Sequence, residues 1–532
     1  MELHGKNLIG GNPVASSDKT FQAIDPQRSK SLDPDFFEAC ENEIDLSLDL
    51  AEEAFQSFGQ SDPSERARFL DLIADEVEAL GDALIERAHL ETALPMARLT
   101  GERGRTCNQL RMFANLIREG SWVGARIDTA IPDREPLPKP DIRRMLQPLG
   151  PVVVFGVSNF PLAFSAAGGD SASALAAGCP VVLKAHPAHP GTSELVTRAL
   201  LKAAETTGMP QGVFSMVHGV SHEVGLRLVT HPLTQAVGFT GSQKAGRALF
   251  DAAARRAKPI PFYAEMGSVN PVFVLSGTLE ERLESFVQGY LGSLTLGVGQ
   301  FCTNPGLLVA LAGENWDLLM HQLSRGIEAL GCGTMLHDGI RAAYEEGVDR
   351  LKEQEGVRLV AESEAKPNAE KTEAQTFLFE TSAETFLGEA FLKEEVFGPC
   401  GLAIKCKTPE EMVSVAKAME GSLTATVHGD EESLSEAAPL LSCLRRKAGR
   451  VIFNGFPTGV EVCPSMMHGG PYPATTDSGV TSVGTAAIER FARPVAYQDF
   501  PDNVLPAELR NKNERGIWRL VNNRFTQEDI EI

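Results

Sequence analysis

Between Pro148 and about residue 275, short unbroken apolar runs alternate with helix-length segments. The runs are P-V-V-V-F (151–155), C-P-V-V-L-K-A (179–185), V-F-S-M-V-H (213–218), A-V-G-F-T-G (236–241) and I-P-F-Y-A-E (260–265). Strands apolar on both faces and joined by helices form a parallel sheet covered on each side, which restricts this part of the chain to a doubly wound α/β layer. Such a sheet takes its ligand beyond the carboxyl ends of its strands, and Asn159, Lys184 and Gly241 fall there.

The flanking segments read differently. Residues from about 36 to 120 carry apolar positions at three- and four-residue spacing, as in R-A-R-F-L-D-L-I-A-D-E-V-E-A-L, with Pro63 suited to a first helical turn. A proline-rich link, I-P-D-R-E-P-L-P-K-P, follows. A second α/β stretch is expected over about 271–470, then a strand near 492–498, and the last thirty residues are polar and poorly patterned. The expected boundaries are therefore 1–130 for the helical part, 131–148 for the bridging link, 149–266 for the parallel α/β layer, 267–475 for the second α/β stretch and 476–532 for a strand with its tail.

With 532 residues the chain can bury more than one core. A net charge of -22 opposes binding to nucleic acid or anionic lipid. Nine scattered cysteines without a CxxC pair read as reduced thiols, and no apolar run nears the ~20 residues of a membrane span, so a cytoplasmic location is expected. His186 and His189 stand in K-A-H-P-A-H-P-G-T, where two prolines disrupt helical pairing, and no metal is expected.

The chemistry concentrates in three places. Cys302 in L-G-V-G-Q-F-C-T-N-P follows Gly297 and Gly299, which leave its N–H free to donate. A thiol of pKa about 8.5 needs local help to become a nucleophile. Asn159 in F-G-V-S-N-F-P supplies an amide donor for an oxyanion, although a helix cap is the plainer use of such an asparagine. Glu265 in P-I-P-F-Y-A-E-M-G is a carboxylate in an apolar setting, expected to have a raised pKa and to serve as a general base. A strand-end lysine, Lys184, suits ribose hydroxyls or a phosphate, and the turn at Gly241-Ser242 suits a pyrophosphate. Glu395 and Phe397, in K-E-E-V-F-G-P, can position a ribose and its ring.

Taken in order, S-N-F-P, V-V-L-K, F-T-G-S, A-E-M-G, G-Q-F-C and E-E-V-F-G-P resemble the aldehyde dehydrogenase family from about residue 20 to 500. The resemblance implies an α/β fold with a Rossmann-type cofactor domain, an α/β catalytic domain and a small oligomerisation element, assembled as a homodimer or homotetramer. It implies oxidation of an aldehyde through a thioester on Cys302, with Asn159 holding the oxyanion and Glu265 activating water. Lys184, Gly241, Ser242, Glu395 and Phe397 would hold the nicotinamide cofactor. Where many NAD-dependent members carry a ribose-binding glutamate, this chain has Pro187, so NADP is expected to be accepted and preferred over NAD.

The segments E-T-A-L-P-M-A-R-L-T-G-E-R-G-R-T and N-G-F-P-T-G-V-E-V look like the branch acting on α-ketoglutaric semialdehyde (2,5-dioxopentanoate). That branch also includes NADP-linked fatty aldehyde enzymes, which stand as the alternative, and a non-catalytic nucleotide-binding relative is the alternative from another class. A distal carboxylate calls for a cation, and Arg103, Arg105 and Arg111 are candidates, with solvated helix charges as their plainer reading.

Overall fold

The computed structural model describes residues 2–368 and 370–531. Its first sheet has seven strands in the order Phe262–Glu265, Ala236–Thr240, Val152–Phe155, Val181–Lys184, Phe214–Val217, Asn7–Ile9 and Asn12–Val14. The first five in that order pair in parallel and match the five apolar runs, each trimmed by a residue or more at its ends. Chain order reverses beside Val152–Phe155, which opens a crevice beyond the carboxyl ends of the strands. The two N-terminal strands add antiparallel at the far edge, a feature too short to show in the hydrophobic pattern.

The helices keep the sheet closed. Gly169–Ala177 is buried throughout, and its small side chains let it lie close against the strands. Four helices, Glu41–Phe58, Pro63–Ala79, Gly81–Thr92 and Met96–Glu119, occupy the region read as helical. Pro63 takes the first turn of its helix, and the Asp62 side chain accepts from the Ser64 N–H. Gly120, at φ 88°, ends the longest of them in the left-handed region.

A second seven-stranded sheet runs Val357–Glu362, Phe377–Ser382, Cys400–Cys406, Leu307–Leu311, Val272–Val274, Ser422–His428 and Ala448–Phe453. Only the Val357–Glu362 edge is antiparallel. A third sheet joins Ala492–Gln498, Ile142–Pro148, Arg126–Asp128, Arg519–Val521 and Arg524–Thr526. The strand expected near 492–498 is therefore present. The tail is more ordered than its polarity suggests, because Arg519 is buried and its guanidinium donates to the carbonyls of Arg510 and Glu528.

One buried ion pair ties the C-terminal segment to the first sheet. Arg490 donates to Asp170 at 2.7 Å, and the two side chains are 3% and 8% exposed. Removing one member strands a buried charge, which typically costs about 3–5 kcal/mol. Arg490→Met is expected to lower the free energy of the first urea unfolding transition by that amount; a loss below about 1 kcal/mol would contradict it.

Candidate active site

The strand Phe262–Glu265 ends at the sheet's carboxyl edge, so Glu265 points into the crevice. Cys302, the candidate nucleophile, arrives from the second sheet, on an irregular turn before Leu307–Leu311. In that turn Gly297, Val298 and Gly299 all adopt positive φ, at 57°, 58° and 67°. For a β-branched residue such as Val298 this is a strained conformation, of the kind retained where function requires it. Gly299 lies so close to Gly398 that a Cβ would sit 2.3 Å from its carbonyl carbon.

Two buried asparagine amides fix this turn. Asn270 donates to the carbonyls of Cys302 and Asn304 at 2.8 and 3.0 Å, while its own oxygen accepts from Ser268 and Thr424. Asn304 donates to the carbonyls of Leu294, Gly299 and Gly398. Ser268, which also donates to Asn270 and accepts from the Leu423 N–H, thus has a structural task. Neither asparagine stood out in the sequence.

The oxyanion side is equally defined. Asn159 lies in the turn after Val152–Phe155, is buried, and gives one amide hydrogen to the Gln300 carbonyl at 2.9 Å. Its second amide hydrogen is left to donate. The Cys302 N–H makes no hydrogen bond among the described residues, so both groups keep a hydrogen to donate. Arg98 holds the turn from behind, donating to the Asn159 carbonyl at 2.6 Å and stacking on Phe160 and Phe301.

Beside the nucleophile stands a residue absent from the sequence reading. His468 Nε2 is 3.6 Å from Cys302 Sγ and 3.0 Å from Glu265 Oε1. Ser482 donates to Glu265 Oε2 at 2.7 Å and also to the His468 carbonyl. Both arrive on a segment that crosses the end of the Glu265 strand, where Glu265 bridges Thr475 and the Met266 N–H donates to Ala474. The one local sign was the glycine pair after His468, and there Gly470, at φ 154°, passes 2.4 Å (measured to a hypothetical Cβ) from the Ser422 carbonyl oxygen.

These contacts reverse the expected behaviour of Glu265. Burial alone would raise its pKa, but the His468 imidazole and the hydrogen bonds from His468, Ser482 and Cys302 outweigh it and hold the carboxyl below its usual range. Glu265 is a carboxylate kept ionised by its partners, not one tuned upward by desolvation. The Cys302 thiol is pushed well above its ordinary value by burial, then by the Glu265 charge and hydrogen bond. Thiol, imidazole and carboxylate donor atoms lie within 4.8 Å of one another, the one such group of three among the described residues. The His186 and His189 rings stack at 5.6 Å, but His189 is committed to the Val157 carbonyl and Ser193.

The residues expected to hold a cofactor lie at strand ends, in turns and along one cleft. Burial lowers Lys184 to a pKa of about 8, and it makes no hydrogen bond or ion pair among the described residues. Glu395 borders a cleft with Phe397, Ser268 and Asn304, and desolvation raises its pKa to about 8. A Cβ on Gly267 would meet the Glu395 carboxylate at 2.7 Å, so the glycine keeps that cradle open. Ser242 caps the helix Gln243–Ala254 by accepting from the Ala245 N–H, with Gly241 just before it. Pro187 sits in the turn between Lys184 and the helix Pro190–Thr207. A lysine and a carboxyl with unused bonding capacity, beside a helix N-terminus, fit a dinucleotide's hydroxyls and phosphates.

Because the free thiol is held protonated, iodoacetamide should alkylate Cys302 at a rate rising about tenfold per pH unit from 7 to 9. A plateau below pH 9, followed by mass spectrometry of the Cys302 peptide, would contradict this.

The comparisons with known proteins give the family and the fold. Residues 14–492 match the aldehyde dehydrogenase family. The chain is 51% identical to alpha-ketoglutaric semialdehyde dehydrogenase 2 of Azospirillum brasilense, over 98% of this chain and 99% of that protein. It is 46% identical to alpha-ketoglutaric semialdehyde dehydrogenase of Acinetobacter baylyi, over 99% of each. Its fold superposes on betaine aldehyde dehydrogenase of Staphylococcus aureus, solved with NAD+, with a TM-score of 0.79 at 21% identity, covering 94% of this chain and 96% of that one. The protein belongs to the aldehyde dehydrogenase family.

Proposed function

We propose that the chain oxidises 2,5-dioxopentanoate to 2-oxoglutarate with a nicotinamide dinucleotide. The observation that carries the chemistry is the Cys302–His468–Glu265 cluster facing the Asn159 amide. The substrate follows from the likeness to the Azospirillum and Acinetobacter enzymes.

Cys302 Sγ attacks the aldehyde carbon as its proton passes towards the imidazole and carboxylate beside it. The resulting oxyanion accepts from Asn159 Nδ2 and the Cys302 N–H. When bound, the nicotinamide supplies the two-electron acceptor for that carbon. A thioester is left on Cys302. Glu265, ionised and oriented by His468 and Ser482, removes a proton from the water that cleaves it. Lys184 and Glu395 would hold the cofactor's ribose regions, with the Gly241-Ser242 helix start beside its phosphates.

The cofactor preference turns on a residue outside the motifs. Glu38 Oε2 accepts from the Val220 and Ser221 N–H groups at 2.7 and 2.8 Å, in the loop after Phe214–Val217. Burial opposes its ionisation, yet those bonds hold its pKa below the usual range, and its charge acts on Lys184. In this reading Glu38 stands in for the carboxylate missing at Pro187, which would disfavour a 2′-phosphate and turn the expectation towards NAD+. Glu38→Gln should raise the NADP+/NAD+ ratio of kcat/KM roughly tenfold, and an unchanged ratio would remove Glu38 from the selection.

Two further features support the setting. All nine cysteines are free, which suits a reducing cytoplasm. No helix among the described residues is long and apolar enough to cross a membrane. The strand Ala492–Gln498 forms a free sheet edge with alternating exposed positions, suited to pairing between copies in a homodimer or homotetramer.

The substrate test is kcat/KM for 2,5-dioxopentanoate against succinic semialdehyde and decanal. The value is expected to be highest for 2,5-dioxopentanoate; a higher value for decanal would assign the chain to fatty aldehydes instead.

A further inference from the structure

We infer that Arg105 is the anchor for the substrate's distal carboxylate. The inference rests on the preceding reading that the aldehyde carries one. Arg98, Glu102 and Arg105 fall at i, i+4 and i+7 on the helix Met96–Glu119 and so share one face, turned towards the Asn159 loop. Glu102 accepts from the Leu162 and Ala163 N–H groups at 2.9 and 3.0 Å, locking that loop to the helix. Arg98 is spent on the Asn159 carbonyl.

Arg105 has a different environment. Its Cζ lies 5.8 and 5.6 Å from the ring centroids of Phe160 and Phe164, which flank the oxyanion turn. Among the described residues it makes no side-chain hydrogen bond and has no carboxylate within 4.0 Å, and its Nε is buried without a partner. A half-buried guanidinium held between two aromatic rings and left unpaired is costly to maintain. Its charge acts first on Glu102, one turn back on the same helix, and then on Cys302, Glu265 and Glu461.

The other cations are committed elsewhere. Arg103 donates to the Gly81 carbonyl, and Arg111 is paired with Asp75 and Glu78 on the outer surface. Arg450, which also acts on Cys302, donates to the Pro457 and Gly459 carbonyls. Of the arginines near the nucleophile, Arg105 alone offers an unengaged planar fork, the geometry that pairs bidentately with a carboxylate. A 2-oxo acid places its carboxylate and adjacent carbonyl at the end of a short chain remote from the aldehyde. Arg105 binds that end, while Phe160 and Phe164 close the apolar walls beside it.

The test compares holoenzymes with 2,5-dioxopentanoate and with pentanal, an aldehyde of equal chain length without the carboxylate. Arg105→Gln is expected to lower the ratio of the two kcat/KM values roughly 10- to 100-fold, mainly through KM for the charged substrate. Arg105→Lys should recover part of that ratio, because the charge returns without the fork. Isothermal titration of 2-oxoglutarate into Cys302→Ala should show binding that is lost when Arg105→Gln is added. Equal losses with both aldehydes, or unaltered 2-oxoglutarate binding, would overturn the assignment. If the wild-type enzyme itself prefers pentanal and decanal, the substrate reading fails instead, so the two failures are told apart.

Discussion

The site depends on the hydrogen bonds that two buried asparagine side chains give to the cysteine turn. A backbone with three consecutive positive-φ residues cannot satisfy its carbonyls by regular pairing. Asn270 and Asn304 donate to Cys302, Asn304, Leu294, Gly299 and Gly398 instead. With those groups satisfied, a strained loop can be buried at a sheet end and still hold one sulfur atom in a defined place. The Asn159 amide and the Glu265 carboxylate have meaning only relative to that sulfur.

The electrostatics follow from the same closure. Glu265 is surrounded by donors, so its negative charge is stabilised in a site that would otherwise neutralise it. That retained charge raises the Cys302 thiol further than burial alone. Base strength and nucleophile dormancy are thus two sides of one interaction. Arg105, beside the Phe160 and Phe164 rings, opposes part of that effect.

Much of this was legible in the sequence. Five apolar runs announced the five parallel strands, because strands buried on both faces carry an unmistakable signal. The motifs that single out Cys302, Asn159 and Glu265 lie at strand ends or turns, and the structure brings Cys302 and Glu265 together around His468. His468 was not, since it reaches the site across 203 residues from Glu265 on an irregular segment without periodicity. The direction of the Glu265 shift failed for the same reason: an apolar local sequence does not reveal partners supplied by tertiary structure. Glu38 and the two N-terminal strands were missed because short edge segments have little pattern to read. The polar tail misled because the pairing of Arg519 with backbone carbonyls is invisible to composition.

The protonated state of Cys302 has a consequence for the protein between turnovers. Peroxide and related oxidants attack thiolates, and conversion to sulfinic or sulfonic acid would end the working life of the enzyme. Burial and the neighbouring Glu265 keep this sulfur in its least oxidisable form while no aldehyde is present. The arrangement that delays the nucleophile therefore also preserves it.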